Sequence, residues 1–146
     1  MGFVGLCLLV GAAGGALTAT SADWYPTLRQ PPGTPPSAVF GPVWTALYCL
    51  LGVSGWLVWR RTGAGRAVRL WGWQLAINAL WVPAFFGLRS PGLGLVVMVP
   101  LLILAALTVR TFARIRRPAA WLMAPYLAWL GYAAYLNAGF VVLNPP

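Results

Sequence analysis

The sequence predicts an all-α integral membrane protein, a bundle of five transmembrane helices, and three observations carry that prediction. The 146 residues are 60% hydrophobic and only 8% charged. A soluble domain carries about 25% charge, so water is the wrong solvent for the surface this chain would present. The apolar residues fall into five runs, each close to the ~20 residues an α-helix needs to cross the hydrocarbon core. The ten basic residues are all arginine and sit mostly in short clusters between those runs, as topology signals do.

The first span is expected over residues 2–20. It lacks a basic leading segment and its apolar run is long, so an uncleaved helix is expected rather than a signal peptide. Residues 21–36 contain Trp24-Tyr25-Pro26, Pro31-Pro32 and Pro35-Pro36. Each proline locks φ and removes a backbone donor, so this segment cannot be helical throughout. An ordered, aromatic-bearing lid loop is expected there. The remaining spans are placed at 37–59, 67–86, 91–112 and 118–143, and the whole chain, 1–146, reads as one membrane domain.

Arg60, Arg61, Arg66 and Arg69 lie between spans two and three, and Arg110, Arg114, Arg116 and Arg117 between spans four and five. Five spans put both loops on one side, which the excess of arginine marks as cytoplasmic. The opposite loops carry Arg29 and Arg89, with Asp23 offsetting one of them. The expected topology is N-terminus cytoplasmic, with the C-terminus and the lid outside. The absence of lysine and the bias to Arg, Ala, Gly and Pro point to a GC-rich bacterial genome, hence a bacterial inner membrane.

The residue inventory excludes several function classes. Asp23 is the sole acid and there is no histidine, so hydrolases and most acid–base enzymes lack their working groups. Cys7 and Cys49 are isolated in apolar runs and do not form a metal site. No catalytic residue, metal or cofactor is expected. A net charge of +9 suggests nucleic acid in a soluble protein. Here the charges flank membrane spans, so no nucleic-acid partner is expected, and lipid is.

Of the nine tryptophans, Trp24 lies in the lid segment and the other eight divide into two groups. Trp56, Trp59, Trp71, Trp73 and Trp121 lie within a turn or two of the cytoplasmic arginines, where indoles anchor helices at the headgroup level. Trp44 and Tyr48 share a face of span two, and Asn78, Trp81 and Phe85 a face of span three. Trp129, Tyr132 or Ala133, and Leu136 or Asn137 form a stripe on span five. All three stripes fall in the central-to-outer half of the membrane. Asn78 and Asn137 are intramembrane amides that should face the bundle. Spacing alone leaves two readings open: packing seams glued by the two amides, or an aromatic cavity with a few polar groups and a lid. Small pairs at four-residue spacing, Gly11/Gly15 and Gly72/Ala76, are expected to permit close helix contact.

The stretch from Trp24-Tyr25-Pro26 through Pro31-Pro32-Gly33, Pro35-Pro36, Phe40-Gly41-Pro42-Val43-Trp44 and Leu47-Tyr48 resembles the first loop and second helix of the TspO/MBR family. The resemblance continues through Gln74…Asn78…Trp81, Phe85-Phe86-Gly87, Pro125-Tyr126…Trp129-Leu130 and Leu136-Asn137, in order over nearly the whole chain. It implies a five-helix bundle, usually dimeric, with a cavity under the first loop for hydrophobic ligands: tetrapyrroles such as protoporphyrin IX, and sterols in animal members. It places Phe40, Trp44, Asn78, Trp81, Trp129, Ala133 and Leu136 on the cavity wall, with Trp24 and Tyr25 in the lid. Tyr48, Phe85 and Asn137 join them from the shared stripes.

Departures from the family pattern bear on ligand choice. Gln30 stands where lysine is usual, and Gly33 and Ala38 replace aromatics, so the lid is less basic and less bulky. No arginine or lysine follows Arg117, so the cholesterol pattern of the fifth helix is missing and a sterol is disfavoured. The resemblance thus implies a receptor or regulator of porphyrin-like molecules that works as a homodimer. The alternatives are light-dependent porphyrin degradation, for which Trp44 is the candidate electron donor, and passive facilitation of a hydrophobic ligand. Active transport is disfavoured by the lack of intramembrane charge and of internal repeats.

Overall fold

Apolar runs bounded by Pro, Gly and Ser become helices whose ends follow those punctuating residues. The computed structural model describes residues 2–146 and contains α1 (Gly2–Ala19), α2 (Ser37–Thr62), α3 (Arg66–Val82), α4 (Pro91–Ile115) and α5 (Arg117–Leu143). Met1, part of the expected 1–146 domain, lies outside the described residues. No strand occurs among the described residues, and the all-α expectation holds.

Helix α2 begins directly after Pro35-Pro36 and ends at Gly63, whose φ of 62° only glycine adopts freely; its N–H closes on Trp59 O at 2.8 Å. Helix α4 starts from Ser90, whose hydroxyl accepts from Leu93 N–H at 3.2 Å, with Pro91 in the first turn. One extended residue, Arg116, separates α4 from α5. The predicted spans stop short at the arginine-rich ends: α2 runs to Thr62 rather than 59, and α4 to Ile115 rather than 112. The arginines there continue the helices, because their long side chains reach the interface without breaking the backbone ladder.

The third span differs more. Its α-helix ends at Val82 and passes into a single π turn, Pro83–Gly87, with Leu88 N–H bonding Pro83 O at 2.8 Å. Proline cannot donate to the preceding turn and its ring crowds that turn's carbonyl, so the ladder widens by one residue there. Helices α1, α2, α4 and α5 are each long and apolar enough to cross a membrane. The 17 residues of α3 extend through the π turn to complete the fifth crossing. The chain is a multi-pass integral membrane protein.

Around the bundle the order is α1, α2, α5, α4, α3, with α3 returning to α1. The main core holds Leu51, Val58, Met98, Leu101, Phe112, Met123, Tyr126 and Leu130, and a second cluster of Phe85, Leu136 and Phe140 lies under the lid. Ser54 Oγ donates to Ala119 O at 2.9 Å and joins α2 to α5.

Trp71 departs from its expected place at the interface. It is buried, its ring fills the slot left by Gly55, and its Nε1–H donates to Leu51 O at 3.0 Å. A Cβ at Gly55 would stand 2.6 Å from that ring. Trp59, Trp73 and Trp121 do lie exposed on the bundle surface, and Arg60 sits 4.9 Å over the Trp56 ring. Of the small pairs, Gly11 lies against Tyr48, whereas Gly15 and Gly72 have no neighbour within 4 Å of a built Cβ.

Candidate functional site

The lid-side half of the bundle is hollow. A cavity of about 1120 Å³ lies beneath the 21–36 loop, with walls from all five helices. Of the residues singled out from the sequence, Tyr25, Phe40, Trp44, Tyr48, Asn78, Trp81, Phe85, Trp129, Ala133, Leu136 and Asn137 line it. Trp24 does not. Its ring packs edge-on against Phe85 at 5.9 Å and so supports the wall from behind. The lining carries no charged side chain among the described residues.

One wall is built from α2 and α5. The rings of Trp44 and Tyr48 stack at 5.4 Å, because positions four apart on a helix lie one above the other. Trp129 meets Trp44 edge-on, 6.4 Å away at 89°, and meets Phe40 at 6.0 Å and 70°. The opposite wall is built from α3 and its π turn, with Trp81 stacked on Phe85 at 5.2 Å and crossed by Phe86 at 82°. The rings of Phe85 and Phe86, adjacent on the π turn and 4.8 Å apart, both line the cavity. A regular α-helix would turn them about 100° from each other.

The two intramembrane amides are held by the protein. Asn78 Oδ1 accepts from Tyr48 Oη at 2.6 Å, and its Nδ2 donates to Tyr126 Oη at 2.9 Å. Tyr126 in turn donates to Gln74 Oε1 at 2.6 Å. Asn137 Oδ1 accepts from Trp81 Nε1 at 2.9 Å, while Nδ2 donates to Pro91 O at 2.7 Å. The seam and the cavity therefore coexist: the amides are the glue, and the aromatics they orient form the wall. Trp129 Nε1 and Gln74 Nε2 are buried donors without an acceptor among the described residues.

The lid is a short 3-10 turn at Tyr25–Thr27 followed by extended, proline-rich chain. Tyr25 wedges between Phe86 and Phe140, at 5.6 and 5.5 Å, and burial raises its hydroxyl pKa above the ordinary value. The carboxamide of Asn144 clasps Arg29 from both sides, accepting from its N–H at 2.8 Å and donating to its carbonyl at 2.9 Å. Tyr135 donates to Pro32 O at 2.9 Å and Tyr132 to Gly33 O. Gly139 admits Pro31, which a Cβ would meet at 2.5 Å. Ser21 Oγ donates to Phe86 O at 2.7 Å, and Asp23 pairs with Arg89 at 3.2 Å. Arg29 does not line the cavity, whereas Gln30 does.

Sequence reasoning passed over the lid fasteners Tyr135 and Asn144; it met Gln74 and Tyr126 only within the family resemblance, and Tyr132 only as an alternative on the span-five stripe. Tyr126 and Gln74 stand within one turn of Trp129 and Asn78, so their depth was readable. Their mutual partnership was not.

A sequence model of the TspO/MBR family matches residues 3–143. The chain is 42% identical over 147 aligned positions to the tryptophan-rich protein TspO of Chlorobaculum tepidum, covering 97% of this chain and 93% of the relative. It is 36% identical to a tryptophan-rich sensory protein of Cereibacter sphaeroides, covering 91% and 87%. It is 39% identical to the translocator protein of Ovis aries, covering 78% and 70%.

Proposed function

The chain belongs to the TspO/MBR family, and from that premise we propose that it is a membrane receptor for hydrophobic tetrapyrroles of the protoporphyrin IX kind. The observation that carries the reading is the charge-free aromatic cavity itself. Its lid-side walls present Trp44, Trp129 and Phe40 on one side and Trp81 and Phe85 on the other. A flat, apolar macrocycle between such walls gains about 2.5 kcal/mol per 100 Å² of ring face removed from water. The unpartnered Trp129 N–H supplies a donor for a ring substituent. Relatives named as sensory and translocator proteins accord with a receptor whose bound ligand is the signal.

The proposed setting is a bacterial inner membrane with the arginine-rich loops cytoplasmic and the lid outside. A homodimer is proposed as the working form, and the open Gly72 and exposed Ala76 on α3 offer a surface for close helix contact. A second reading, light-driven porphyrin breakdown, draws on the Trp44–Tyr48 stack. Trp44 lies against the proposed ligand and is the electron donor in that reading.

The test is titration of the purified protein with protoporphyrin IX, following the Soret shift and tryptophan quenching, beside Trp44→Phe and Trp129→Phe. Saturable binding weakened roughly two- to twelvefold in each variant is expected, from about 0.5–1.5 kcal/mol per aromatic contact. No saturable binding, or affinity unchanged in both variants, refutes the site. Illumination of the complex separates the two readings: Soret bleaching no faster than with an unrelated membrane protein excludes breakdown.

A further inference from the structure

Helix α1 does not follow α2 along its length. From its start to its middle it is pressed onto α2: a Cβ at Gly52 would lie 2.6 Å from Val4 Cα, and one at Gly11 2.8 Å from the Tyr48 ring. Towards the lid α1 leans on α3 instead. There a Cβ at Gly14 would lie 3.3 Å from Val82, Leu17 faces Gly87, and Ser21 bonds the carbonyl of Phe86. The helix thus crosses from α2 to α3, and a wedge opens between α1 and α2 at the lid end. Ala12, Gly15 and Ala19 form one edge of the wedge and Ser37, Gly41 and Thr45 the other. All six are exposed and all six also line the cavity.

The edges suit lipid. They are small, a Cβ at Gly15 or Gly41 would meet nothing within 4 Å, and the Thr45 hydroxyl is satisfied by Gly41 O at 2.9 Å. The lid, by contrast, is fastened everywhere else. Asn144, Tyr135, Tyr132 and Gly139 hold it to α5, and Ser21 and Asp23 hold it to the π turn and to Arg89 in the bend that follows.

We infer that the doorway of the cavity is lateral: a hydrophobic ligand enters and leaves through the wedge between α1 and α2, from the lid-side leaflet, while the lid stays closed. The inference rests on the ligand class proposed above, because such a molecule is concentrated in the bilayer by about 0.8 kcal/mol per buried methylene equivalent. The wedge puts the cavity in contact with that reservoir. The same opening admits a lipid acyl chain when no ligand is bound, which brings the chain against Trp44.

The test uses the full chain in lipid nanodiscs and stopped-flow exchange of protoporphyrin IX. Gly15→Leu/Gly41→Leu grows two side chains into the wedge from positions where a Cβ meets nothing within 4 Å, and Asn144→Ala releases the lid backbone at Arg29. The leucine pair is expected to slow association and dissociation together by about tenfold or more, so that their ratio moves far less than either. Asn144→Ala is expected to change neither rate. Faster exchange in Asn144→Ala with unchanged exchange in the leucine pair overturns the inference and makes the lid the door. Absence of saturable binding in the unaltered protein refutes the ligand class instead. The wedge is then read without porphyrin, from quenching by lipids brominated on the acyl chain. The Trp44 contribution, defined against Trp44→Phe, should be quenched in the unaltered protein and protected in the leucine pair. Equal quenching in both overturns the doorway.

Discussion

Tyr126→Phe removes one hydroxyl from the centre of the bundle and strands two groups. Gln74 Oε1 loses the donor now 2.6 Å away, and Asn78 Nδ2 loses an acceptor at 2.9 Å. Gln74 and Tyr126 are fully buried and neither lines the cavity, so water cannot replace the partner that Gln74 loses. A stranded buried group costs about 1–3 kcal/mol, but side-chain pairs inside membrane proteins average only ~0.6 kcal/mol by double-mutant cycles. Two such losses span about 1 kcal/mol at the membrane-protein average to several kcal/mol at the full stranding cost. Gln74→Met behaves differently. It strands the Tyr126 hydroxyl but removes Nε2, already a buried donor without an acceptor, so the two effects offset to within about 1 kcal/mol.

The double variant Gln74→Met/Tyr126→Phe leaves only the Asn78 donor unsatisfied. It should therefore be more stable than Tyr126→Phe alone, although it carries one change more. The assay is thermal and SDS unfolding in one detergent, followed by circular dichroism, for both single variants and the double. A double variant less stable than Tyr126→Phe refutes the reasoning. It would mean that Gln74 Nε2 has a partner or that Gln74 supports the bundle independently of Tyr126.

Gly52→Ala places a methyl 2.6 Å from the Val4 backbone, whereas Gly72→Ala meets nothing within 4 Å. The first should destabilise by about 1–3 kcal/mol and the second should leave stability unchanged or raise it by up to about 1 kcal/mol, both read from unfolding in detergent. Asn144→Ala removes both hydrogen bonds that hold the Arg29 backbone. Trypsin cleavage after Arg29 should rise roughly tenfold, as loss of about 1–1.5 kcal/mol of local closure implies, and gel densitometry of the fragments measures it. Asp23→Asn should change that cleavage less than about fivefold, since both partners of the Asp23–Arg89 pair are well exposed and such pairs contribute about 0–1 kcal/mol.

How much was legible in the sequence follows from the reach of each interaction. The spans could be placed because bilayer thickness sets helix length, a constraint satisfied within one segment. The Trp44/Tyr48, Trp81/Phe85 and Trp129/Ala133 stripes could be read because 3.6 residues per turn decides which side chains share a face. Prolines announced a non-helical lid at 21–36, and Asn78 and Asn137 could be turned inward on solvation grounds alone. Those inferences need only the chain and its solvent.

What a face meets is a different matter, and only the tertiary structure decided it. Trp71 and Trp73 are two residues apart in the same arginine-flanked turn, yet Trp71 fills the slot at Gly55 while Trp73 is exposed. Trp24 and Tyr25 are neighbours in the lid, yet only Tyr25 reaches the cavity. The Gln74–Tyr126–Asn78–Tyr48 chain joins three helices, and the wedge between α1 and α2 exists because α1 crosses from one neighbour to another. Periodicity assigns a residue to a side of its own helix. The partner on that side, and whether the space between them is filled or left open, depends on the placement of backbones far apart in the chain, and no local pattern records it.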